Sequence, residues 1–284
     1  MFEKILLFLD GSKQGEQSIP YVEEIARQSA GLINVTGVNV PQEGSPLEHL
    51  LKIYLDSVAD NLQAKGIIAK ACLLSGHSIG TTLLNYADES NASIIASVIS
   101  QHTGATHGIE NVTEKIITSP GKPLLLVPEK TTPRTDMPGF NRILVPLDGS
   151  ELGAKAISWA KELALKTGAE IALIRVIPFE HKASGVLGQG QALQEQLLGI
   201  LEKQAKDYLI DVQTELMKDK VTCNYEVVVG SPANHIIEYA KKINADLITM
   251  SSHGMTGLGR FFIGSVASRV AHSSEMPILL VKAH

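Results

Sequence analysis

FNRILVPLDGS at 140–150 decides the fold, because FEKILLFLDGS at 2–12 matches it in register at Phe, Ile, Leu, Leu, Asp, Gly and Ser. A second match lies near the ends of the two stretches, SPGKPLLLV at 119–127 against SSEMPILLV at 273–281. The first pair is offset by 138 residues and the second by 154, so the later copy holds 16 additional residues in its middle. Two such copies are a duplication, not a solenoid array. Each short apolar run ending in Asp-Gly reads as a buried strand followed by a turn.

The remainder of each copy alternates strands and helices. Strands are predicted at Ile5–Leu9, Ile33–Val38, Ile67–Leu74, Ile94–Ile99 and Leu124–Val127, with partners at Ile143–Leu147, Ile171–Val176, Tyr225–Val229, Leu247–Met250 and Ile278–Val281. Apolar residues at three- and four-residue spacing predict long helices at Leu47–Ala64 and Leu193–Leu216. Near-continuous Val/Ile/Leu strands between helices imply an α/β class: two repeated, doubly wound domains, each with a mainly parallel sheet covered on both faces. PEKTTPRTDMPG at 128–139 reads as a linker, placing the domains at 1–128 and 139–284 with 129–138 between them. The additional residues of the second copy fall around HKASGVLGQGQ at 181–191, expected as a glycine-rich loop before the long helix.

Composition narrows the function. Of 284 residues, 44% are hydrophobic and 19% charged, an ordinary globular balance with enough chain for two cores. A formal net charge of −5 supplies no general attraction to nucleic acid or anionic membrane, so neither is expected as a partner. Cys72 and Cys223 are too few and too far apart for a disulfide framework or zinc site, and the opening apolar run is too short to span a bilayer, so a cytoplasmic location is expected.

The chemistry concentrates in ITMSSHGMTGLGRFFIGSVASRV at 248–270: a strand end, a glycine-rich loop and a helix start. Glycines let backbone amides approach an anion, and a helix start adds unpaired N–H groups and a positive dipole end. The stretch has no GxxxxGK[ST], and its Gly257-Leu258-Gly259 follows a late strand, unlike a dinucleotide fingerprint.

PLDGS at 146–150, Gly230-Ser231-Pro232, the spacing S-x-x-G-x9-G-S from Ser251 through Gly254 to Gly264-Ser265, and MPILLV at 276–281 together resemble the universal stress protein family. The resemblance spans nearly the whole chain as a tandem pair. It implies a five-stranded sheet of order 3-2-1-4-5 in each domain, and ATP, or ADP or AMP, as ligand of the second. Carried over by position, Gly254, Gly264 and Ser265 hold the phosphates and Asp148 meets the ribose or a Mg²⁺ ion. The Val176 backbone reads the adenine, and the Pro146-Leu147 backbone and Met250 flank the nucleoside. Ser251 stands where the family's pattern has its first glycine, which implies weakened binding. In the first copy Glu110-Asn111 replaces Gly264-Ser265 and Phe8 replaces Pro146, so a carboxylate occupies the place of the phosphate and that domain is expected to bind no nucleotide. Single-domain members of the family pair through their last strands, which here implies internal pairing of the two copies, with a homodimer a further expectation.

Plainer readings stand beside these. Asp148 and Asp10 fit Asx turns before Gly149 and Gly11, Ser265 fits an N-cap, and Val176 and Met250 fit core positions. Arg260 and His253 fit solvated loop residues. GHSIG at 76–80 matches the G-x-S-x-G nucleophile elbow, which would make the chain a serine hydrolase, but the second copy has Gly230-Ser231-Pro232-Ala233-Asn234 there, with no nucleophile. His102 and His107 have a spacing unsuited to a shared metal. A dimerisation scaffold without nucleotide is the remaining alternative. No catalytic base or lysine clamp accompanies the glycine loop, so any ATPase activity is expected to be slow or absent.

Overall fold

Short Ile/Val/Leu runs with few charges lose least by being buried on both faces, and in the computed structural model they form one ten-stranded sheet. Residues 1–41, 47–99, 112–119, 121–131, 139–178, 189–254 and 263–282 are described. The first half contains β1 (Lys4–Phe8), α1 (Ile19–Ser29), β2 (Leu32–Asn39), α2 (Leu47–Ala64), β3 (Ala69–Ser75), α3 (Ile79–Glu89), β4 (Ile94–Ile99), α4 (Val112–Thr118) and β5 (Leu124–Pro128). The second contains β6 (Arg142–Pro146), α5 (Glu151–Thr167), β7 (Glu170–Ile177), α6 (Gln189–Lys218), β8 (Cys223–Val229), α7 (Pro232–Lys242), β9 (Leu247–Ser251), α8 (Ser265–Ser273) and β10 (Ile278–Val281).

The strand order is β3-β2-β1-β4-β5-β10-β9-β6-β7-β8. Neighbours are parallel except β5 and β10, which are antiparallel with Leu124 opposite Leu280, Leu125 opposite Leu279 and Leu126 opposite Ile278. Because successive side chains point to opposite faces, each strand feeds two cores. Ile5, Leu7, Val35, Val145, Ile171 and Leu279 belong to one, beneath α1, α2, α5 and α6. Leu6, Ile95, Leu126, Leu144, Ile248 and Ile278 belong to the other, beneath α3, α4, α7 and α8. Both cores run through both halves.

Side chains reinforce the join. Phe2 meets Trp159 edge-on at 5.1 Å between centroids, and the Met1 amino group pairs with Glu162 at 3.0 Å. Thr131 donates to the Glu275 carbonyl at 2.9 Å. His272 on α8 reaches Glu114 on α4 through Nε2 at 2.6 Å, while its Nδ1 lies 2.7 Å from the Ser268 carbonyl. Lys282 donates to the Ile117 carbonyl.

Two expectations are corrected. The additional residues of the second copy are not all loop: α6 has 30 residues against 18 in α2, and it begins at Gln189, inside the stretch expected to be loop. The Gln, Ala, Leu and Glu residues at 191–198 favour helix strongly enough to outweigh Gly190 and Gly199. Residues 179–188 lie outside the described chain. Pro128, expected in the linker, closes β5 instead, where it needs no ladder donor of its own. No helix among the described residues is long and apolar enough to cross a membrane.

Phe2 is buried, and Trp159 is the single tryptophan of the chain. Phe2→Ala is expected to cost about 3–5 kcal/mol in urea unfolding and to change Trp159 fluorescence in the folded state. Burial also lowers the Lys282 ammonium from its ordinary 10.5 to about 8. Between those values the unfolded chain binds more protons than the folded one, so this group's contribution to stability rises with pH across the window. Lys282→Met is expected to remove that rise when unfolding is compared at its two ends.

Candidate functional site

β1 lies between β2 and β4, and β6 between β7 and β9, so strand order reverses at two places where loops beyond the strand ends leave a crevice. At the second, β6 and β9 run parallel with Ile143 opposite Leu247 and Leu144 opposite Ile248, and their following loops emerge side by side. Leu147 extends the ladder by one bond, its N–H donating to the Ile174 carbonyl at 2.9 Å. Asp148 then turns the chain. Its Oδ1 accepts the Ser150 N–H at 3.0 Å and the Ser150 hydroxyl at 2.6 Å, and Ser150 Oγ in turn accepts the Gly153 N–H at 2.9 Å. This is the Asx turn expected at Asp148, and it fixes the serine that caps α5. Asp10 repeats it, accepting from the Ser12 N–H and hydroxyl at 2.9 and 2.6 Å.

The other oxygen of Asp148 lies against Gly254. A Cβ on Gly254 would fall 2.1 Å from Oδ2, so this glycine is required by close approach, and the contact ties the β6 loop to the β9 loop.

Ser251 closes β9 opposite Val281 and is buried, with its Oγ accepting the His253 N–H at 3.3 Å. Its backbone is that of an ordinary strand and is not among the positive-φ positions, so a serine costs nothing in conformation there. Ser252 Oγ lies 2.9 Å from His253 Nδ1, and the buried Nε2 of His253 has no partner among the described residues. Gly264 returns the chain to this point: its N–H donates to the Ser252 carbonyl at 2.8 Å, and a Cβ would fall 3.3 Å from the same oxygen. Gly264, not Ser265, is the N-cap of α8, with φ −63° and ψ 148°, and Ser265 is the first helical residue. As a glycine, the N-cap residue has no side chain with which to cap this helix. The first intrahelical bond of α8 is Ser268 N–H to the Gly264 carbonyl at 2.9 Å, which leaves the preceding N–H groups aimed out of the helix end beside Ser252 and His253.

Pro146 and Leu147 are buried at the end of β6. Val176 and Met250 pack in the same apolar core, Met250 almost fully buried and Val176 half-buried. The structure therefore brings together Asp148, Gly254, the Ser251–His253 turn and Gly264-Ser265, with Val176 one strand away on β7. Gly257, Gly259 and Arg260 lie outside the described residues, as do Glu110, Asn111, His102 and His107.

Ser78 of GHSIG is the N-cap of α3, accepting the Thr81 N–H at 3.3 Å and a hydrogen bond from Lys115 Nζ at 3.1 Å. A hydroxyl oxygen that accepts from two donors, one of them an ammonium, is not arranged as an activated nucleophile. Among the described residues no three His, Cys, Asp or Glu side chains cluster to hold a metal. Burial pushes the Cys223 thiol up to about 12, which keeps it un-ionised.

Motif reading passed over Arg175 and Tyr208. The Arg175 guanidinium lies 5.3 Å from the centre of the Tyr208 ring and presses on Gly149. Two signals were in the sequence: an arginine inside the apolar run IALIRVI at 171–177, and a glycine, Gly37, at the same place in the first copy.

Gly254→Ala is expected to lower stability by about 1–3 kcal/mol, and Asp148→Ala in the same chain to recover most of it, as measured by a double-mutant unfolding cycle.

Residues 139–282 match the universal stress protein family. A universal stress protein of Methanocaldococcus jannaschii is 34% identical over 143 residues, covering 50% of this chain and 82% of the relative. One from Synechocystis is 29% identical over 153 residues, covering 51% and 99%. The crystal structure of a universal stress protein from Archaeoglobus fulgidus aligns with 99% of this chain and 97% of its own, with a TM-score of 0.68 and 22% identity.

Proposed function

The chain belongs to the universal stress protein family, and from that premise we propose that it is a tandem member whose second domain holds an adenine nucleotide, ATP foremost, as a regulatory ligand. The domains are 1–128 and 139–284, each of strand order 3-2-1-4-5, joined by a linker at 129–138. The observation that carries this reading is the convergence at the β6/β9 crevice. The Asp148–Gly254 contact there brings two loops together beside a helix start whose N-cap is a glycine. Polyphosphate suits that helix end, where Ser265 presents its backbone N–H and hydroxyl, while Gly264, its own N–H held by the Ser252 carbonyl, and Gly254, packed on Asp148, shape the loop around it. Asp148 lies at the ribose, or at Mg²⁺ carried in on the phosphates, while Pro146, Leu147, Val176 and Met250 wall the nucleoside. Binding shifts a conformation or an assembly state. The protein acts in the cytoplasm as a stress-response binder and is not primarily a catalyst.

A nucleotide-free scaffold is the second reading. It is favoured by the β5–β10 pairing, which joins the halves using the edge strands that would otherwise recruit another chain.

Freshly purified protein is expected to release an adenine nucleotide identifiable by mass spectrometry; a ligand-free protein that also takes up no ATP in calorimetry supports the scaffold. Ser265→Asp puts a carboxylate at the start of α8, where it suits the helix dipole but repels phosphate. This variant is expected to keep its circular dichroism and weaken ATP binding at least about tenfold, or roughly 1.4 kcal/mol.

A further inference from the structure

We propose that Arg175 is a second anion-recognition group at this site, reading a phosphate borne on the ribose of the adenine nucleotide at its 2′ or 3′ position. The inference rests on the nucleotide reading above and adds a specificity to it.

Arg175 lies against both Tyr208 and Gly149. Its guanidinium carbon lies 5.3 Å from the centre of the Tyr208 ring, and a Cβ on Gly149 would fall 2.9 Å from that carbon and from both terminal nitrogens. Gly149 has φ +86°, so a side chain is disfavoured there on two counts. A cation–π contact of this kind steadies a guanidinium while leaving its N–H groups for an acceptor. Among the described residues that edge is unused: the contact with Tyr208 is the one polar or ring interaction Arg175 makes. The Tyr208 hydroxyl is also buried without a partner among the described residues. Burial raises the Tyr208 hydroxyl, with Arg175 acting to lower it and Asp148 to raise it, which places all three groups in one electrostatic neighbourhood.

Position on the sheet gives the ligand. Tyr208 packs against the core beneath α5 and α6, so Arg175 lies on that face. Val176, the next residue, packs against the opposite core together with Ala267 and Val270 of α8. Arg175 and the start of α8 are therefore on opposite faces, with Asp148 between them: one of its oxygens abuts Gly254, and its charge reaches Tyr208. If the 5′-phosphates rest at α8 and the ribose at Asp148, an anion at Arg175 comes from the hydroxyl edge of the sugar. An arginine near the end of the second strand is well suited to that position, since its planar fork matches a phosphate with two parallel hydrogen bonds. The first half lacks the device. Gly37 takes the place of Arg175, and a Cβ there would run into Leu55 and Leu51.

The test is calorimetric titration of the full chain with AMP, adenosine 2′,5′-bisphosphate, adenosine 3′,5′-bisphosphate and ATP. One of the bisphosphates is expected to bind at least about tenfold more tightly than AMP, a gain typical of a charge-assisted bidentate contact. Arg175→Met, which still covers Tyr208, should erase that gain and leave AMP affinity within about twofold, whereas Arg175→Lys should keep part of it. The 2′ and 3′ arms tell which hydroxyl carries the phosphate. If AMP or ATP binds and neither bisphosphate exceeds AMP, or if Arg175→Met keeps the gain, the ribose-phosphate assignment is wrong and the nucleotide site stands. If no adenine nucleotide binds, both fall together.

Discussion

Three antiparallel pairs of residues, Leu124 with Leu280, Leu125 with Leu279 and Leu126 with Ile278, hold the two halves of this molecule in one sheet. Without that ladder, β5 and β10 would each be an open edge of buried, aliphatic residues, the kind of surface that recruits another strand. With it, the apolar faces of ten strands continue across the join, and each face has a single core covered by helices from both halves. The contacts of Phe2 with Trp159 and of Glu114 with His272 then sit above and below a sheet that is already continuous.

The same parallel architecture creates the site. A strand order that reverses at β1 and again at β6 sends neighbouring loops in diverging directions, and the crevice between them opens where β6 and β9 end. What occupies that crevice depends on contacts a few ångströms across. Asp148 is shared: one oxygen organises its own turn and the cap of α5, and the other abuts Gly254. The glycine at position 254 therefore has a packing cause of its own.

The two halves are alike in frame and different at the crevice. Asp10 and Asp148 make the same turn with the same serine, and Tyr54 and Tyr208 occupy corresponding places on α2 and α6. Around them, Phe8 faces Pro146 in the comparison, and Gly37 faces Arg175. Duplication preserves what the sheet needs and leaves loop ends free to diverge, because a residue at a strand end is constrained by its own neighbours and not by the ladder.

The sequence by itself determined the internal match between the two halves, the α/β class and most strand and helix positions. Those features depend on local patterns: apolar runs, helical spacing, Asp-Gly turns and glycine intervals. It misplaced the start of α6, since glycines at Gly188 and Gly190 look like loop when the helix-forming run that follows is weighed separately. The plainer reading of Ser265 as an N-cap is not met, since the tertiary structure gives the cap to Gly264, and it places Ser251 in an ordinary strand. Only the tertiary structure decided that Asp148 crowds the place a side chain on Gly254 would take, and that Arg175 lies against Tyr208 and Gly149. Asp148 and Gly254 are 106 residues apart in the chain, and Arg175 and Tyr208 are 33 apart. Contacts at such separations are set by how strands order in the sheet, and no interval in the sequence records them.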